Sequence, residues 1–146
     1  MSQEFYRFQL GRFQCASLSD GSMDYPLKSF FANVSIEKVE EALRQRDLPV
    51  EYVTTPYTCL YAEAGEHRVL MSMGAGSLGP RTGRLTQSMQ AAGIRPEDID
   101  MVVITHAHPD HIGGKLDERG QPMYANAYHC IWRHEEIYRG LEDGLI

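Results

Sequence analysis

Cysteine is scarce in this chain and badly placed for cross-linking. The three cysteines, Cys15, Cys59 and Cys130, are odd in number, far apart and in no C-x-x-C pair, which argues against both a disulfide framework and a cysteine zinc site. A reducing, cytoplasmic compartment is the expected setting. Long apolar runs are also missing. Nothing approaches the ~20 consecutive apolar residues that span a bilayer, and the opening residues Met1 to Arg7 lead into no apolar stretch of the signal-peptide kind. Neither export nor a membrane partner is expected. Positive charge is short as well: 14 Lys and Arg face 20 Asp and Glu, a net charge of −6, opposite in sign to the footprint of a nucleic-acid binder. No nucleic-acid partner is expected. Repeats and low-complexity segments are absent. What remains is 146 residues at 42% hydrophobic and 23% charged composition, which is that of one soluble globular domain.

Hydrophobic pattern and turn chemistry alternate strands with helices after a two-stranded opening. Phe5 to Leu10 and Phe13 to Leu18 read as a hairpin joined at Gly11-Arg12, with Asp20-Gly21 ending the second strand and a loop over 20–34. Ser35 is placed to cap a helix reaching Asp47, with Ile36, Val39 and Leu43 on one face and Pro49 closing it. Tyr57 to Ala62 and Arg68 to Met73 read as strands around a Gly65-Glu66 turn. A glycine-rich stretch, Gly74 to Pro80, precedes a helix over 83–92 with Leu85, Met89 and Ala92 on one side and Gly93 as its stop. Met101 to Thr105 is a continuous apolar run typical of a buried strand. Ala127 to Ile131 is a further strand, and a short helix is expected over 133–139. The β-α-β order from Arg68 to Thr105 implies an α/β layer architecture.

Directly after the buried strand comes Thr105-His106-Ala107-His108-Pro109-Asp110-His111-Ile112-Gly113-Gly114. With six His and eight Asp in the chain, H-x-H-x-D-H arises by composition alone in roughly one such sequence in 2,000. Imidazole nitrogen and carboxylate oxygen are ligands of zinc-type ions, and a loop springing from a strand end can aim several of them inward. In an extended segment His106 and His108 point to one side and can chelate one ion. Asp110 and His111, where the chain turns toward Gly113-Gly114, can face a second. The bland alternative is a set of surface-loop or core histidines, but four such groups together repel one another once charged unless something binds them. His67, His129 and His134, each isolated, take the bland reading.

These residues resemble the metallo-β-lactamase superfamily, whose signature is this H-x-H-x-D-H loop after a buried strand. The resemblance extends from about Phe5 to Trp132. The hairpin ending Leu18-Ser19-Asp20-Gly21, the strands before Gly74-Ala75-Gly76, and Gly83-Arg84-Leu85 through Ala92-Gly93-Ile94 are most similar to the branch with lactonases and methyl-parathion-hydrolase-type enzymes. The fold so implied is α/β (α+β), an αββα sandwich of which this chain holds mainly the N-terminal half. The implied cofactor is Zn2+, as one or two divalent ions, with Mn or Fe as alternatives. His106 and His108 match ligands of the first metal, and Asp110 and His111 match ligands of the second. The implied chemistry is hydrolysis of a small-molecule ester, lactone or phosphotriester by metal-activated water, with Asp110 also orienting the water or relaying a proton.

Two departures from the family pattern qualify that expectation. Ser72 stands in Met71-Ser72-Met73-Gly74 where the family strand carries an aspartate that supports the metal loop, and losing such a support typically costs ~10–100-fold in metal affinity or activity. The family's further ligands lie well downstream, whereas this chain ends at Ile146, 35 residues after His111. Four ligands over two ions leave two each, below the three usual for catalytic zinc. A chain shortened at its C-terminus, with one sheet face needing a homo-oligomeric partner or a complementing chain, is therefore expected. A non-catalytic relative that binds metal or serves as an interaction module is the rival from another class. Gly74 to Gly79 also fits G-x-G-x-x-G, which composition alone produces in roughly one such sequence in ten. Pro80 and Gly83 delay its helix, and His106 stands where a ribose-binding acid belongs.

Overall fold

The computed structural model describes residues 4–133. The helix expected over 133–139, with His134, lies outside the described residues apart from Arg133. Six strands form one mixed sheet in chain order: β1 (Phe5–Leu10), β2 (Phe13–Pro26), β3 (Tyr52–Ala64), β4 (His67–Met71), β5 (Met101–Ile104) and β6 (Tyr128–Ile131). The first four pair antiparallel through short turns or the long β2–β3 connection. From β4 onward the pairing is parallel, which requires crossovers. Helices α1 (Leu27–Phe30) and α2 (Ile36–Arg44) sit in the β2–β3 connection, α3 (Leu85–Ala91) lies between β4 and β5, and α4 (Pro109–Ile112) follows β5.

The expected end of β2 at Asp20-Gly21 is corrected by the structure. Pairing with β3 continues to Pro26, and its register shifts between Ser19 and Gly21, so Asp20 is the extra residue of a bulge. Gly21 takes φ +102, and a Cβ there would lie 1.8 Å from the Arg81 carbonyl oxygen. That same oxygen accepts the Ser22 N–H at 3.1 Å. Pro56, opposite Ser22, has no N–H to pair with. An Asp-Gly pair that reads as a strand end thus serves to bend one long strand and tie it to the loop after β4.

The helices are shorter than their sequence patterns. α2 stops at Arg44 rather than Asp47, and of its apolar side only Val39 is buried. α3 starts at Leu85 and ends where expected: Ile94 N–H reaches back to the Met89 carbonyl at 2.8 Å and Gly93 takes φ +70, the left-handed stop that glycine permits.

The two faces of the sheet differ. On one, Leu18, Cys59, Leu70 and Val102 pack against Leu85 and Met89 of α3, together with Ile94, Ile99 and Tyr124, all buried. On the other, the register aligns Tyr6, Ser17, Leu60, Met71 and Val103 across five strands. Tyr6 is 60% exposed, Met71 36% and the edge residue Tyr128 80%. Among the described residues, the main hydrophobic cluster lies on the first side, and on the second the small Cys15 and Ala62 are buried.

Candidate metal centre

Neighbouring parallel strands deliver their C-terminal ends to the same place, the usual position for a site in sheets of this kind. From β4 emerges the segment from Ser72 through the glycine stretch, and from β5 the histidine segment. The backbones knit them together: Ser72 N–H bonds Val103 O at 3.0 Å, Met73 N–H bonds His111 O at 2.9 Å, and Gly113 N–H bonds Gly74 O at 2.9 Å. A Cβ at Gly113 would lie 2.2 Å from the Ala75 oxygen, and one at Gly76 would lie 2.4 Å from the Gly113 oxygen. Glycine is needed here because two main chains touch. That packing accounts for Gly76, and the close approach of the Asp20 carboxylate accounts for Gly74.

Pro109 opens α4, with extended His108 at its N-cap. His106 and His108 therefore precede the helix, while Asp110 and His111 sit in its first turn. Ligand atoms of His106, Asp110 and His111 lie within 4.8 Å of one another. The His106 ring is 4.1 Å from the His111 ring and 4.6 Å from the His108 ring, centre to centre. His111 Nε2 stands 3.5 Å from Asp110 Oδ2. His106 thus stands in one cluster with Asp110 and His111, and the His108 ring lies across that of His106.

Two nitrogens and a carboxylate oxygen in mutual reach, with a further imidazole alongside, are a donor set for a divalent cation of the zinc type. Electrostatics favours the ligand form. Burial pushes the His111 imidazole below its ordinary value of 6.5, and His106 and His108 push the same way, opposed by the Asp110 carboxylate. Two of the rings are held at Nδ1 by hydroxyls, His106 by Thr105 Oγ1 and His111 by Ser72 Oγ, each at 3.1 Å. Their Nε2 atoms are left for a ligand. On this evidence the residues fit such an ion.

Two further residues escape the sequence reading. Asp20, 1% exposed, accepts Ala75 N–H at 2.6 Å and Leu85 N–H at 2.9 Å. Its carboxylate thereby anchors both ends of the segment between β4 and α3. Burial raises its pKa and the surrounding backbone N–H groups counter that only in part. Tyr57 is the other. Its buried hydroxyl pairs with that of Tyr25, and burial first, then Tyr25 and the Asp110 and Asp20 charges, hold the phenol in its protonated form. An Asp-Gly pair and a strand tyrosine carry no local signal of these roles. A cavity of about 830 Å³ lies between Thr82, Thr86 and Gln87 on one side and Asp117 and Arg119 on the other, and none of the four candidate ligands lines it.

Residues 76–142 match the family model of the metallo-beta-lactamase superfamily. No curated protein sequence matches the chain. Among solved structures, AidC, a dizinc quorum-quenching lactonase in complex with a product, N-hexnoyl-L-homoserine, superposes with a TM-score of 0.87 at 29% identity over 92% of this chain and 46% of its own. The hydrolase AbOPH of the beta lactamase superfamily gives 0.86 at 26% identity, over 94% of this chain and 47% of its own. A probable metal-dependent hydrolase from Staphylococcus aureus, at 18% identity and a TM-score of 0.73, shares the fold. The chain spans about half the length of these structures.

Proposed function

We propose that the chain, whose residues 76–142 match the family model of the metallo-beta-lactamase superfamily, is a member of it and carries the ligand-bearing portion of a metal-dependent hydrolase acting on a small-molecule ester, lactone or phosphotriester. The observation that carries this reading is the convergence of His106, Asp110 and His111 within 4.8 Å at the end of a strand. His106 and His111 would hold a divalent ion, zinc or alternatively Mn or Fe, through their Nε2 atoms, with Asp110 as the anionic ligand and His108 beside them. Such an ion supplies an activated water at neutral pH and a Lewis acid for the scissile oxygen. Asp110 is the group in the cluster able to accept a proton at a carboxylate oxygen. Tyr57, held in its protonated form and paired with Tyr25, is a neutral hydroxyl.

A second reading has its own observation. Only three ligand groups converge among the described residues, and an apolar sheet face stands open, so the chain on its own would bind metal without turning over substrate. Activity then awaits a second copy or a complementing chain on that face. Zinc titration with hydrolysis assays on lactone, carboxylic ester and phosphotriester substrates separates the readings. Zinc binding with turnover supports the hydrolase, zinc binding without turnover supports the second reading, and no binding removes both. His106→Ala is expected to lower zinc affinity and abolish any turnover; activity that survives it would come from elsewhere.

A further inference from the structure

The support for His111 is a hydroxyl, and a hydroxyl differs from a carboxylate in a way that matters for a ligand histidine. A carboxylate only accepts, so it holds the proton of a neutral imidazole on the nitrogen it faces. A serine hydroxyl both donates and accepts. Ser72 is 6% exposed and sits at φ +73, a conformation rare for a non-glycine residue that needs its surroundings to hold it. They do. Its own N–H is bonded to Val103, and the next N–H is bonded to His111. Its Oγ stands 3.1 Å from His111 Nδ1 and within 3.4 Å of the Gly74 N–H. Burial raises the pKa of the Cys59 thiol, and the same hydroxyl counters part of that rise.

Resting on the metal-centre reading above, we propose that Ser72 is a positioning residue that lets His111 change tautomer when metal binds. Without metal, His111 Nε2 faces the Asp110 carboxylate 3.5 Å away. The imidazole proton belongs on Nε2, and the Ser72 hydroxyl donates to Nδ1. With metal on Nε2, that proton leaves to solvent and one is taken up at Nδ1, so the imidazole stays neutral. The Ser72 hydroxyl then turns and accepts from Nδ1–H. Gly74 N–H, as a donor to Oγ, is compatible with both states. Thr105 plays the same geometric part for His106, but from an exposed position, where water can replace it.

The test uses the full chain with histidine labelled by nitrogen-15 and long-range proton–nitrogen NMR, which reports each ring's tautomer. In the metal-free protein His111 is expected as the Nε2–H form, moving to Nδ1–H on addition of zinc. Ser72→Asp is expected to show Nδ1–H in both states and to bind zinc ~10-fold or more tightly, whereas Ser72→Ala is expected to lose about 10-fold in zinc affinity and to keep its fold by circular dichroism. Wild-type His111 already in the Nδ1–H form without metal, or Ser72→Ala with unchanged affinity and ring shifts, overturns the proposal. If Ser72→Asp does not fold, the wild-type tautomer and Ser72→Ala still decide it. Absence of zinc binding by the wild type, with the metal-free tautomer as expected, would sink the metal-centre reading instead.

Discussion

The two faces of the sheet are built from similar residues and end in opposite situations. Leu70 and Met71 are neighbours on β4, yet Leu70 is fully buried beneath α3 and Met71 is 36% exposed. Val102 and Val103 repeat the contrast on β5, one fully buried and the other half-buried. A strand meant to face water on one side alternates apolar with polar, whereas a strand meant for two-sided burial is apolar throughout. β5 and the Val69-Leu70-Met71 end of β4 are of the second kind. The open face is therefore read as a surface whose residues suit a cover that the described residues do not supply.

The sharpest way to break the comparison is to truncate matched neighbours. Leu70→Ala should cost about 2–5 kcal/mol through lost burial and a cavity, measured by urea unfolding. Met71→Ser should change monomer stability by no more than about 0.5 kcal/mol while reducing self-association in sedimentation. Equal costs at the two positions would mean that the open face is covered in solution.

The covered side is also where loops are locked together, and Gly113→Ala tests that lock. Its new Cβ has no room beside the Ala75 carbonyl, so a loss of about 3 kcal/mol is expected, together with weaker zinc binding. Unchanged zinc affinity would show that the glycine interlock and the ligand loop are independent.

Asp20→Asn is expected to cost about 1–2 kcal/mol, because one amide oxygen replaces two carboxylate oxygens in front of two buried N–H groups. It also alters the pH dependence. The folded pKa of Asp20 is raised, so its contribution to stability is fully present below the ordinary carboxylate value and is lost as pH rises through the raised value. Relative to wild type, Asp20→Asn should lack that decline when urea midpoints are followed upward from about pH 4. A wild-type profile parallel to that of the variant would contradict the assignment.

Smallest is the change on α2. Arg44→Ala removes an exposed pair with Glu40 and should shift stability by at most about 0.5 kcal/mol. A larger loss in a thermal melt would show that α2 is held more tightly than its burial indicates.

Much of the site was legible in order along the chain. The H-x-H-x-D-H run, its place after an apolar strand and the glycine pair behind it are local features, and local spacing survives folding. What was not legible depends on residues far apart. The bulge at Asp20 could not be read because its carboxylate answers N–H groups 55 and 65 residues away. Nor could spacing along the chain show that α4 turns Asp110 and His111 back toward His106.

By itself, the sequence determined the element types, the donor chemistry at the strand end and the two-sided apolar character of the central strands, since these rest on residue identity and short-range period. Only the tertiary structure decided which face is covered, that Ser72 rather than a carboxylate holds His111, and that Gly76 abuts the Gly113 backbone while Gly74 abuts the Asp20 carboxylate. Those outcomes follow from the parallel pairing of β4 and β5, which brings segments some forty residues apart (Ser72 and His111, for instance, 39 apart) within hydrogen-bonding distance.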